Sequence, residues 1–446
     1  MNYTTIRTVV RSRYRISLSV DARETWRRLA GLIEEDALVW TSAETSVAEN
    51  FDHHSPEFRD SAHETLAVMR SRCPVAHSEQ HGGFWTLLDY QSVFEASRDD
   101  DLFNSFPSVG VPASGAPFPI IPIESDPPLT QKLRQITIKA FSPGQVEVLR
   151  PLARRMARQM VNEFIERGQC DIIGELTTPL PAKMILLMLG FDESKYSQWV
   201  HWVHSMVHDR THDQEKAGAA VAEMFGEIYK NMAERRQSGD IGDDVFGRIL
   251  GGQVDGVPLD DTQILMYTVL MMLGGMDTTS GLTGNVLFEL TEHPELRKQL
   301  IDDPELIKNA TDEFLRHCTP TLGMARTVSR DAEFHGSQLH AGDRAVLMFA
   351  SANRDPAVFE DPDTIRLDRE NSKKQMAFGV GMHRCLGSHL ARVMFQEMLS
   401  EVLERLPDYR LDGTPKRFED AGEVWAMREL PIAFSPGPRV EVGGEQ

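Results

Sequence analysis

The sequence predicts a mainly α fold with a minor β portion, carried by a single large domain, on three observations. Between residues 128 and 320 apolar side chains recur at helical spacing, punctuated by caps such as Asp260 followed by Gln263, a capping-box arrangement. Strand-like alternation is confined to short pieces, 333–339 and 344–349, which the turn His340-Ala341-Gly342-Asp343 joins. Hydrophobic residues make up 41% and charged residues 26% of the 446, the balance of a globular protein that buries a large core. No linker, repeat or low-complexity tract interrupts the chain beyond Asn50.

At the N-terminus, the first 20 residues carry Arg7, Arg11, Arg13 and Arg15 and no acid, a composition also met in mitochondrial transit peptides. No cleavage pattern accompanies them, so they read as an Arg-rich extension or an over-long start. A short amphipathic helix follows over 21–40, and the fold proper begins near Asn50, dividing the chain into an extension, 1–49, and a domain, 50–446. Residues 103–128 are dense in Pro, Gly and Ser and predict a long irregular loop, of the kind that usually serves a function in compact domains. The most apolar run, 264–276, is too short for a membrane span and ends at Asp277; it reads as a buried helix, and no membrane span is expected. A net charge of -20 argues against nucleic acid as a partner, which would need a basic face. The four cysteines, Cys73, Cys170, Cys318 and Cys385, are widely spaced with no CxxC pair. They indicate neither a disulfide framework nor a zinc knuckle, and fit a reducing, cytoplasmic compartment.

The most informative stretch is Phe378-Gly379-Val380-Gly381-Met382-His383-Arg384-Cys385-Leu386-Gly387, which runs into an amphipathic helix beginning near Leu386. Gly379 and Gly381 permit backbone angles and a close approach that side chains forbid, so the loop can lie flat against a planar group. Phe378 can cover the sulfur side. Cys385 stands at a helix N-terminus, where the macrodipole and free amides favour a thiolate and lower its pKa. An axial thiolate donates electron density to haem iron and favours O–O cleavage. A lone cysteine beside a glycine turn is more often a buried structural residue, but so many matched positions, followed by a helix, point to haem ligation. The stretch resembles the cysteine loop of the cytochrome P450 family.

The resemblance covers about residue 50 to the C-terminus and implies a single haem domain holding haem b, iron protoporphyrin IX, through Cys385. A Glu-x-x-Arg pair braces the family's core, and Glu313 with Arg316 matches it; the same pattern at Glu24 to Arg27 and Glu147 to Arg150 is set aside by order along the chain. The family adds an Arg after Asn353-Arg354-Asp355-Pro356, but Thr364 occupies the expected place, leaving Arg366 and Arg369 as candidates. Within the helix from Asp261 lies Gly274-Gly275-Met276-Asp277-Thr278-Thr279. Mid-helix glycines cost about 1 kcal/mol each against Ala, and a buried carboxylate adds a desolvation cost, so packing does not explain them. In the family this widening admits O2, while the acid and alcohol, here Asp277 and Thr278, relay protons. The two haem propionates are buried anions that demand cations or strong donors. Arg134 is a candidate, in a stretch with Thr130 where the family has His; Arg326 follows Met324-Ala325, and His383 lies in the cysteine loop. With Phe378, Gly379 and Gly387 these complete the expected cofactor contacts.

His201, His204, His208 and His212 recur at three- and four-residue spacing and suggest a metal site. No carboxylate or cysteine completes a set, and the segment coincides with the family's lid helices, so they read as incidental surface histidines. The implied activity is a monooxygenase inserting one atom of O2 into a hydrophobic small-molecule substrate. The chain shows neither a nucleotide fingerprint nor a ferredoxin cysteine cluster. A ferredoxin-type electron donor with an NAD(P)H-dependent reductase is therefore the expected partner, and Lys373, Lys374, Arg384 and Arg392 could dock an acidic carrier. Two rivals stand beside this activity: an isomerase or peroxide user, against which Asp277 and Thr278 argue, and a haem sensor that turns nothing over. Substrate-dependent NADPH consumption separates them. An apolar pocket is expected from Phe103, Phe106, Phe118 and Ile120, from Leu270 and Met271, from Leu322 and Met324, and from Met427.

Overall fold

The computed structural model describes residues 48, 50–113, 116, 118–420 and 422–442. The expected extension 1–49, with its arginines and the 21–40 helix, lies outside the described residues except for Ala48. The central element is the long helix Asp261–Glu292. Its capping box forms: Gln263 N donates to Asp260 Oδ1 at 2.8 Å, and Asp260 N donates to Gln263 Oε1 at 3.0 Å. A helix apolar on nearly every side can lie only inside the protein, and Leu265, Tyr267, Met272, Leu282, Val286 and Leu287 are all buried. Pro179–Leu189, Tyr196–His204 and Ser388–Arg405 pack around it. The last of these also lies along Arg150–Phe164. Its two buried carboxylates are paired: Glu397 meets Arg150 at 2.8 Å and Arg154 at 2.7 Å across the contact, and Glu401 meets Arg158 at 3.4 Å across it and Arg405 at 3.0 Å on its own helix.

The largest sheet has five strands in the order Val75–Ser78, Phe84–Leu87, Arg344–Leu347, Met324–Val328, Phe103–Asn104. Only the pairing of Arg344–Leu347 with Phe84–Leu87 is parallel. The stretch expected as one strand over 333–339 is instead a hairpin of Ala332–Phe334 and Ser337–Leu339. The cause is its middle: His335 (φ 48°) and Gly336 (φ 81°) both take left-handed angles, as a two-residue hairpin loop requires. Phe103 also departs from expectation. It packs edge-on against Phe334, ring centres 5.0 Å apart, in the core beside this sheet. A pocket role for it is thereby corrected, because its two-residue strand points it inward.

The brace is fully formed. Arg316 donates to Glu313 through Nε at 2.7 Å and Nη2 at 2.8 Å, both side chains being buried. The missing third partner is Arg369, whose Nε lies 3.0 Å from each Glu313 oxygen. Arg366 contributes only its main-chain amide, at 2.9 Å, and turns its side chain outward. Thr364 serves through its carbonyl, which accepts from Arg316 and Arg369.

Candidate active site

The cysteine loop is closed by Cys385 N donating to the Phe378 carbonyl at 2.8 Å. The following helix is Ser388–Arg405 with Gly387 as its cap, slightly later than the sequence suggests. Gly379 (φ 66°) and Gly381 (φ 76°) both hold left-handed angles. The close approach at Gly381 is to protein, since a Cβ there would run into the Ser97 carbonyl. Phe378 lies under the Arg392 guanidinium, 4.6 Å from its ring centre. Arg392 also pairs with Asp312 at 2.6 Å and is half-buried, so of the four cations around the loop Lys373, Lys374 and Arg384 are the exposed ones.

Cys385 is open at its side chain yet enclosed by protein, which puts its sulfur on an internal recess. The expectation of a lowered thiol pKa is corrected here. Burial pushes the Cys385 thiol up, against the Gly387 amide and the charges of Arg134, Arg384 and Arg392. The helix starts too far along to offset that burial. A thiol in such a place loses its proton when a metal binds it, because coordination itself favours the thiolate.

Around His383 of the cysteine loop the fold gathers two of the predicted arginines. Arg326 is buried on the strand Met324–Val328, and among the described residues its guanidinium makes one hydrogen bond, from Nη1 to the Ala325 carbonyl at 2.9 Å. Burial lowers its pKa to about 10, with Asp100 and Asp126 opposing from a distance. Arg134, on the helix Leu129–Thr137, donates to the Arg384 carbonyl at 2.7 Å. Among the described residues neither arginine has a carboxylate in ion-pair contact. His383 Nε2 lies 3.0 Å from Ser105 Oγ, and burial followed by Arg326 and Arg134 lowers its pKa to about 3. Thr130, in place of the family's His, is turned to Ser125 and away from this cluster. A buried guanidinium without a counter-ion is costly, so the cluster is built for an anion supplied from outside the chain. Two cations, a hydrogen-bonding imidazole and a recessed thiol fit a carboxylate-bearing cofactor whose metal takes sulfur.

Asp277 and Thr278 are not joined. Thr278 Oγ1 donates to the Gly274 carbonyl at 2.9 Å, while Asp277, buried, lies 2.8 Å from His208 Nε2 and 3.4 Å from His204 Nε2. Burial works against the Asp277 charge, but the two histidines hold its pKa far below the usual carboxylate range. The reading of these histidines as incidental surface residues holds for His201 and His212, which are exposed, and is corrected for His204 and His208: His204 faces Asp277, and His208 is buried and fixed on both ring nitrogens. A signal was present in the sequence. Two histidines one turn apart share a face, and a carboxylate inside an apolar helix must find a donor. Among the described residues no three metal-ligating groups converge on one point. Gly275 is also explained by packing, since a Cβ there would strike Ile185, whereas Gly274 is exposed with open space beside it.

A recessed thiol, an anion cradle and a buried acid followed by a threonine on the central helix are the features expected of haem-thiolate proteins. The sequence profile described as Cytochrome P450 matches residues 182–435, more than half of the chain. A steroid C26-monooxygenase of Mycolicibacterium smegmatis is 32% identical over 384 residues, covering 85% of this chain and 94% of that protein. The linalool 8-monooxygenase of Pseudomonas putida is 28% identical, covering 84% and 96%. Among solved structures, CYP109E1 from Bacillus megaterium in complex with testosterone superposes with a TM-score of 0.77 at 27% identity, covering 85% of this chain and 99% of that one. This chain belongs to the cytochrome P450 family. It is a haem-thiolate monooxygenase, an oxidoreductase that incorporates oxygen from O2 with electrons from a redox partner. No helix among the described residues is long and apolar enough to cross a membrane.

Proposed function

We propose that this protein hydroxylates an apolar substrate of terpenoid or steroid size, with Cys385 ligating the iron of haem b. The observation that carries the cofactor reading is the buried Arg326, which among the described residues has no acid in ion-pair contact and stands with Arg134 around His383, two residues before Cys385. These three would hold the propionates, and Phe378, Gly379 and Gly387 would line the sulfur side. Bound there, haem supplies the activation of O2. The chain's own part is to keep water from the recess, to orient the substrate and to bring protons to it. Asp277 and Thr278 are the acid and alcohol of that delivery, and Asp277 must turn from its histidines to reach Thr278.

Support for the substrate class comes from the pocket segments and from the names of the relatives, one a steroid and one a linalool monooxygenase. Phe106 and Phe118 are exposed in the long loop, and Leu270, Met271 and Met324 are partly exposed. Leu322 and Met427, by contrast, are buried and belong to the core. A ferredoxin-type donor with its NAD(P)H-dependent reductase is the proposed electron source, with Lys373, Lys374 and Arg384 as the docking cations. Four free cysteines suit the reducing cytoplasm. The test is a set of ligands matched in size but differing in charge, titrated against the ferric haem spectrum. Neutral apolar members should bind tightest; preference for anionic members would sink the reading and direct attention to the exposed Arg428.

A further inference from the structure

Asp277 has partners that the proton relay leaves unused. Its Oδ2 lies 2.8 Å from His208 Nε2, and the other ring nitrogen of His208, Nδ1, lies 2.8 Å from the main-chain oxygen of Asp420. A carbonyl only accepts, so Nδ1 carries a hydrogen; an ionised carboxylate also only accepts, so Nε2 carries one too. An imidazole protonated on both nitrogens is a cation. The pair thus holds one proton more than a carboxylate beside a neutral imidazole would. The ring is held in place by Phe418, stacked on it at 3.7 Å with 3° between the planes. Turning Nε2 away would break both the stack and the Asp420 bond.

We propose that His208 is the proton donor that charges Asp277, and that His204 links the pair to solvent. The inference deepens the relay reading of Asp277 and Thr278 given above and rests on it. His204 is 25% exposed at its side chain, whereas His208 and Asp277 are 3% and 2% exposed, so water reaches this cluster at His204. The His208 Nε2–H bond breaks as an Asp277 Oδ2–H bond forms, leaving both groups neutral. Asp277 then rotates and gives that proton to Thr278 Oγ1, whose own hydrogen leaves its bond to the Gly274 carbonyl and passes into the recess. Asp277 is again a carboxylate, and a proton that enters from water at His204 passes to Asp277 Oδ1, which His204 Nε2 faces at 3.4 Å, and through Asp277 restores the pair with His208. One proton enters and one leaves in each cycle.

The groups facing His208 agree with the charged form. Asp277 faces it from the central helix, and His204 from one turn earlier on its own helix. Asp420 faces it from the C-terminal segment, its carboxylate held by His54 Nδ1 at 2.8 Å and by Thr211. Burial opposes the charge on His208, and Asp277 with Asp420 outweighs it, so the pKa is raised. The donor is therefore fully present below the ordinary histidine pKa and is lost as pH rises through the raised value.

The experiment uses the haem-loaded protein in its diamagnetic ferrous–CO form with 15N-labelled histidine, and His208→Gln to assign the signal. Near neutral pH both ring nitrogens of His208 should be protonated, and the second proton should leave only above the ordinary histidine range. In turnover His208→Gln should keep the haem spectrum and substrate binding but lose roughly tenfold in product per NADPH, electrons going to peroxide instead. It should also lose the decline in coupling with rising pH that the wild type shows. A wild-type His208 carrying one ring proton near neutrality overturns the proposal without any variant. Wild-type coupling and pH profile in His208→Gln overturn it as well, leaving His208 a structural clamp. If Thr278→Ala and Asp277→Asn also couple normally, the relay itself has failed, an outcome distinct from failure at His208 alone.

Discussion

Cys385 concentrates the cofactor assignment in one sulfur atom. Cys385→Ala should leave no active haem, and Cys385→His should at best hold a haem whose reduced CO complex lacks the thiolate band, since the ligand type sets that band. Difference spectra of the two variants check this, and a thiolate-type band in either would falsify the ligand. The sequence singles out this residue through its neighbours, because glycines, a cysteine and a helix start in fixed order have few structural explanations. It misjudged the resting proton, since burial is a property of the whole surround and a ten-residue window carries only the local amides. His208 escaped for a related reason: its partner Asp277 is distant along the chain, and periodicity reports only neighbours on one helix.

At the scale of elements, the adjacent glycines of the central helix separate packing from function. Gly274→Ala meets open space and should stabilise the fold by about 1 kcal/mol through helix propensity. Gly275→Ala drives a methyl into Ile185 and should destabilise by about 1–3 kcal/mol, as overpacking does. Urea midpoints with unchanged slopes distinguish the two, and equal shifts would contradict the assignment. The sequence located this pair but gave both glycines one explanation, because which face meets Pro179–Leu189 depends on tertiary packing. The brace behaves likewise. Glu313 and Arg316 were legible from spacing and order, whereas Arg369 was one of two candidates until the loop's path turned Arg366 outward. Glu313→Gln leaves two buried guanidiniums without their carboxylate and should cost about 3–5 kcal/mol, with loss of haem on mild heating. Burial raises the Glu313 pKa, but Arg316, the Arg366 amide and Arg369 together hold it below the ordinary value. Its contribution is therefore present above the ordinary carboxylate pKa and is lost as pH falls below it. The stability difference between wild type and Glu313→Gln should shrink on acidification and stay constant from neutral to mildly alkaline pH.

For the whole molecule, helix content and the small sheet followed from periodicity, while the order of strands did not, since a hydrogen-bonded neighbour such as Phe84–Leu87 for Arg344–Leu347 lies far away in sequence. The same limit bears on where the domain begins. Near that boundary Phe51 is buried, edge-on to Phe58 with ring centres 5.2 Å apart and tilted against Phe84 at 6.2 Å. Just beyond it, Ser55 caps the helix Pro56–Arg72, and His54 bonds to Asp420 and to the Val111 carbonyl at 2.7 Å. These residues tie the start of the domain to its C-terminal segment and to the long loop, so a cut must fall before them. Removing residues 1–45 spares all of these contacts and should leave the haem spectrum and the unfolding midpoint unchanged. Removing residues 1–55 deletes Phe51, His54 and the Ser55 cap; the cap alone is worth about 1 kcal/mol, and the buried ring adds about 3–5 kcal/mol. That longer deletion should yield an unstable protein that loses haem on purification. If the shorter one loses haem equally, the extension is part of the folded domain, and the boundary near Asn50 is misplaced.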